Sequence, residues 1–201
     1  MEKQKILILF AHPRLEKSKI NRQLLDHIPS SAHITFHDLY EEYPDFNIDI
    51  GKEKELLSSH SIIIWHHPFY WYSCPPLLKQ WIDMVLEFGW AYGPSGTALK
   101  DKIIFNCITT GGARDAYMHE GRNRFTIREF LAPFDQTARL CQMKYLPPFA
   151  ILGTHRLSDE ELAMHAKHFN AVIRKLSEGN YSVDKLQELE FLNDLSVLSV
   201  E

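Results

Sequence analysis

Three short runs decide most of what this chain can become: KILILFA (residues 5–11), SIIIWHH (61–67) and KIIFNCITT (102–110). Each has a near-continuous apolar centre. A sheet with one wet face alternates apolar and polar residues, whereas a parallel sheet covered on both faces has no polar side to supply. HITFHDL (33–39) and PFAILGT (148–154) are two further strand-like runs.

Helix-like stretches separate the strands, at residues 18–28, 52–59, 75–88, 126–140 and 158–177. In 75–88 prolines stand in the first turn, where they are tolerated, and Leu78, Trp81, Ile82, Val85 and Phe88 share a face. Thr126 and Glu129, and again Ser158 and Glu161, have the spacing of a capping box. Pro133 is expected to bend or interrupt its helix. The alternation predicts an α/β domain over residues 1–178: a doubly wound five-stranded parallel sheet with helices on both faces. The chain of 201 residues is large enough for one such core. Residues 179–201 lose the pattern and are expected to form a C-terminal appendage, docked or helical, without a core role.

In such a fold ligands sit beyond the carboxyl ends of the strands. Three loops leave those ends. HPRLEKSKIN (12–21) leads into a helix whose start suits a phosphate group, with side chains from Ser18 and Asn21 to add contacts; the plainer reading, since capping serines are common, is that Ser18 merely caps its own helix. HPFYWYSCPP (67–76) places Phe69, Tyr70, Trp71 and Tyr72 in a turn, where polar residues are usual. TTGGARDAY (109–117) offers hydroxyls from Thr109 and Thr110 and bare backbone at Gly111 and Gly112. No Walker loop and no GxGxxG motif is present. A phosphate-suited helix start, an aromatic wall and a glycine-lined wall at one sheet edge fit a flavin.

These motifs, with YPDFNIDI (43–50) and GWAYGPSGTALKDK (89–102), resemble the flavodoxin-like NAD(P)H:quinone oxidoreductases over roughly residues 5–177. Within that family the likeness is stronger to the small bacterial ancillary subunits of glutathione-regulated potassium-efflux systems than to DT-diaphorase. The resemblance implies a homodimer that binds FMN in preference to FAD, takes hydride from NADH or NADPH and passes it to a quinone. It also implies a potassium-efflux transporter as a possible partner, and a cytoplasmic location, peripheral on the inner membrane if that partner recruits it. A regulatory binding module in which flavin is structural or sensing is the alternative. Carried over by residue, His12, Ser18, Lys19, Ile20 and Asn21 hold the phosphate and ribityl part. Phe69 to Tyr72 and Thr109 to Gly112 hold the ring. Tyr117 stands near the ring's pyrimidine edge. The histidine that accompanies this tyrosine in DT-diaphorase is replaced at its spacing by Asn123, and His119 is the neighbouring candidate.

Other features have plainer readings. Adjacent His66 and His67 point to opposite faces of a strand, which disfavours a shared metal. Trp81 and Phe88 read as core, and Cys74 as packing. Arg114, Arg122, Arg124 and Arg128 could meet a nucleotide phosphate or a protein partner, or form a salt-bridged surface. The three cysteines are far apart, without a CxxC, and read as reduced thiols. A net charge of -4 gives no global attraction to nucleic acid, and no run approaches the roughly 20 apolar residues of a membrane span.

Overall fold

The computed structural model describes residues 3–195. In chain order the strands are β1 (Ile6–Phe10), β2 (Ile34–Asp38), β3 (Ile62–Pro68), β4 (Ile103–Thr109), β5 (Lys144–Tyr145) and β6 (Phe149–Ile151). The helices are α1 (Lys19–Asp26), α2 (Leu39–Glu42), α3 (Ile50–Ser59), α4 (Pro76–Val85), α5 (Ile127–Phe130), α6 (Ala132–Leu140), α7 (Asp159–Glu178) and α8 (Val183–Gln187). All strand pairs are parallel, in the order β2-β1-β3-β4-β5, with β6 also on β4.

The sheet is buried on both sides, as the apolar runs require. Leu7 and Leu9 of β1 face a core shared with α3, α4 and α6, through Leu57, Leu78, Trp81 and Phe134. Ile6 and Ile8 face the opposite core, shared with α1 and α7 through Leu24, Ala166, Phe169 and Ile173. Strand order reverses between β1 and β3, so a crevice opens where their carboxyl ends diverge.

Four expectations are corrected. The fifth strand expected over 148–154 is only Phe149–Ile151, paired with the end of β4, and a sixth, unexpected strand, Lys144–Tyr145, pairs with its start; Pro147 and Pro148, which carry no amide for the ladder, separate the two. The helix expected over 126–140 is two helices, with the capping box at Thr126 and Glu129 intact and the break at Leu131, before Pro133. Phe88 is not core: α4 stops at Val85, the helical phase is lost, and the ring is 69% exposed. The segment after Gly179 does have a core role, since Leu186, Phe191 and Leu192 are buried.

Candidate functional site

Beyond the carboxyl ends of β1, β3 and β4 lie two adjoining cavities that share Phe69 and Gly111. The first, of about 610 Å³, is built around the start of α1. Ser18 is the N-cap, its Oγ accepting from the Asn21 amide at 3.4 Å. The amides of Lys19 and Ile20, which also line the cavity, remain as first-turn donors for an anion. Arg14 and Lys17 add positive charge, and His12 and His155 add rings. Burial holds the His12 ring below its usual basicity, and its Nδ1 accepts from the Arg14 amide at 3.1 Å. Ser18 therefore caps its own helix, the plainer of its two readings, and the Lys19 and Ile20 amides are left for other partners.

Asn21 is 1% exposed and braces the site from beneath. Its Nδ2 donates to Ser18 Oγ at 2.8 Å and to Thr109 Oγ1 at 3.2 Å, while its Oδ1 accepts from His66 Nε2 at 3.1 Å. One side chain thus ties the start of α1 to the ends of β3 and β4.

The second cavity, of about 760 Å³, has an aromatic wall. Tyr72 stacks on Phe130 at 4.9 Å and 21°, and Phe69 meets Phe130 and Tyr117 edge-on. Trp71 is 92% exposed and, like Tyr72, sits in the left-handed region, with φ of 48° and 63°. Two successive bulky residues in that region store backbone strain of about 1–3 kcal/mol each, a cost concentrated at binding sites. Gly111 and Gly112 line the same cavity without side chains. A Cβ on Gly111 would lie 2.7 Å from the His155 ring, and one on Gly112 3.0 Å from Tyr117, so a side chain at either position would have to displace a neighbouring ring. Tyr117 lines this cavity; burial raises its hydroxyl above the usual range and keeps it a proton donor at neutral pH.

The structure brings His12, Ser18, Lys19, Ile20, Asn21, Phe69, Tyr70, Trp71, Tyr72, Thr109, Thr110, Gly111, Gly112 and Tyr117 to these cavities or their supports. It does not bring His119: that ring is largely exposed, outside both cavities, 3.8 Å from Glu129. Asn123, at the spacing where DT-diaphorase has histidine, lines the ring cavity and accepts from the Tyr72 hydroxyl at 3.3 Å. Residues 154–156 were missed by sequence reading, although Thr154, His155 and Arg156 leave the carboxyl end of β6 as the other loops leave theirs. Cys74 lies in a half-buried setting that pushes its thiol up to about 11, as an unreactive cysteine requires.

Residues 4–173 match the model of the family described as having a flavodoxin-like fold. The glutathione-regulated potassium-efflux system ancillary protein KefG of Enterobacter sp. (strain 638) is 44% identical over 165 residues, covering 82% of this chain and 90% of that protein. KefG of Pectobacterium atrosepticum is 46% identical over the same shares. This chain belongs to the flavodoxin-like NAD(P)H:quinone reductase family. Among solved members, general stress protein 14 of Treponema denticola, in complex with FMN, superposes with a TM-score of 0.82 at 36% identity, over 86% of this chain and 99% of that one. An NADPH-quinone reductase from P. pentosaceus superposes with a TM-score of 0.74 at 30% identity, over 83% and 97%. The flavodoxin-like fold of this chain contains, among its described residues, no helix long and apolar enough to cross a membrane.

Proposed function

We propose that this chain is an FMN-dependent NAD(P)H:quinone oxidoreductase that works as a homodimer. The observation that carries the reading is the continuity of a cationic helix start with an aromatic and glycine-walled cleft through Phe69 and Gly111. The donors fit the group: first-turn amides, Arg14 and Lys17 would hold an anionic phosphate, and the Gly111–Gly112 backbone with Phe69, Trp71 and Tyr72 would hold a flat ring. When bound, FMN supplies a ring that accepts hydride from NADH or NADPH and passes it to a quinone. The protein's part is to bind, orient and tune. Tyr117 Oη and the backbone amides of the Gly111 loop line the cavity that would hold the ring, and would supply hydrogen-bond donors for the negative charge that reduction builds. Trp71, exposed at the cavity's edge, would bound the space in which a flat donor or acceptor stacks. FMN is favoured over FAD because the sequence carries no motif for an adenosine half and the similar Treponema denticola structure is in complex with FMN.

The test is an absorption spectrum of purified protein, mass identification of the released flavin, and turnover with NADH and NADPH in the presence of a quinone. Absence of a flavin spectrum, with no uptake on reconstitution, would overturn the reading.

The likeness to KefG at 44–46% identity favours a second role alongside the first, as ancillary subunit of a potassium-efflux transporter, peripheral on the inner membrane. If that role stands alone, with flavin as a structural or sensing element, purified protein will hold FMN without sustained turnover.

Trp71→Ala separates chemistry from packing. An exposed side chain contributes little to the fold, so melting should change by no more than about 0.5 kcal/mol equivalent. Flavin reduction should slow by about tenfold, because the donor is held less closely in register. A large drop in melting temperature with normal turnover per bound flavin would make the turn a packing element only.

A further inference from the structure

The matched family model ends at residue 173, yet the chain beyond α7 is built into the molecule. Leu186 of α8 enters the core shared with α1 and α7. Phe191 enters the core on the other face of the sheet, and Leu192, its neighbour, returns to the first. The segment therefore straddles the free edge of β6. The Leu192 amide donates to the Pro148 carbonyl at 2.9 Å. The Asn193 side-chain amide accepts from Ala150 N at 2.8 Å and donates to Ala150 O at 3.1 Å, as the peptide group of a further strand would. An edge that could pair with another chain is closed in this way.

From this anchored stretch two grips reach the ring-side cavity. Arg114 opens the 3-10 turn Arg114–Tyr117, which carries Tyr117; it is ion-paired with Glu190 and lies over the Phe191 ring at 5.2 Å. Arg128 of α5 donates from Nη1 to the Leu189 carbonyl at 3.1 Å, and α5 carries Phe130, the ring on which Tyr72 stacks. Two of the four arginines that sequence left undecided between ligand and surface are thus spent on the tail, while Arg122 lines the cavity.

We infer that residues 187–194 are a positioning clamp for the ring-side wall, with Leu189 and Glu190 holding Arg128 and Arg114, so that closure of the clamp and binding of FMN favour each other. The inference rests on the FMN reading above for its second half. Coupling of this kind is reciprocal: a clamp that tightens the site is itself tightened by the ligand.

The experiment uses full-length protein carrying Glu190→Arg, Arg114→Glu, or both. Both side chains are more than half exposed, so the variants keep the fold. Amide hydrogen exchange over residues 113–118 is read without FMN, and FMN affinity by fluorescence titration. Each single variant should speed exchange in that turn and weaken FMN binding about two- to fivefold, the range of an exposed ion pair. The double variant, with the charges reversed, should recover the part carried by the ion pair, though not the contact of Arg114 with the Phe191 ring; a merely structural loss would not recover. Single variants that match wild type, or a double variant as impaired as the singles, would overturn the clamp. Wild-type protein that takes up no FMN would defeat the flavin reading, and the exchange measurement would still decide the clamp.

Discussion

Lowering the pH from 8 to 5 should cost the fold about 4 kcal/mol and roughly 8–16 °C of melting temperature. His66 and His67 end β3 inside the molecule, both wholly buried. Burial pushes His66 down to about 3, with neighbouring His67 and His12 adding repulsion, and burial pushes His67 down to about 4 against a hydrogen bond to the Pro68 carbonyl. An unfolded histidine binds its proton below about pH 6.5. Over the interval down to about pH 4 the unfolded chain therefore holds two more protons than the folded one. Stability is fully present above the unfolded value and is lost as pH falls, at about 1.4 kcal/mol per unit for each ring. His12 and His60, also held down by burial, act in the same direction. Melting curves at pH 8, 6 and 5 check the size. Imidazole resonances of His66 and His67 that stay constant from pH 8 to 5 check the cause, and a flat melting profile would refute it.

Asn21→Leu should destabilise the protein by about 2–4 kcal/mol and weaken FMN binding more than tenfold. The substitution keeps the shape and removes every side-chain bond of the brace. His66 Nδ1 already has no hydrogen-bond partner, so losing Asn21 Oδ1 would leave neither nitrogen of a wholly buried imidazole bonded. Thr109 Oγ1 loses its donor at the same time, and the start of α1 loses its tie to the sheet. Ser18→Ala removes a cap and should cost about 1 kcal/mol. Thermal melts and flavin titrations on the two variants distinguish them. Asn21→Leu with unchanged melting would remove the brace from the account; lowered melting with unchanged affinity would confine it to stability.

Much of this molecule is legible from local pattern. The centres of β1, β3 and β4 are near-continuous Ile, Leu and Phe, which only a doubly covered parallel sheet accommodates, and the structure places them at its middle. The capping boxes at Thr126 and Ser158 begin helices where their spacing says, because that signal is complete within four residues. The three loops with phosphate-suited, aromatic and glycine character converge because topology sends the carboxyl ends of parallel strands to one edge.

Other features depend on partners distant in sequence. Phe88 carries the helical spacing of a core residue, but the chain turns out of helix after Val85, and nothing within the stretch announces the turn. Asn21 reads as a ligand contact; its role as a brace depends on His66 and Thr109, 45 and 88 residues away. Residues 186–192 show no periodicity, because single side chains enter two different cores across a sheet edge and no repeating face is needed. Sequence alone determined the four longer strands, the capped helix starts and the chemical character of the loops, since each follows from short-range spacing and backbone preference. Tertiary structure decided which side chains face the cavity, which hold those that do, and what covers the open edge of β6, since those depend on contacts that exist only after the chain has closed on itself.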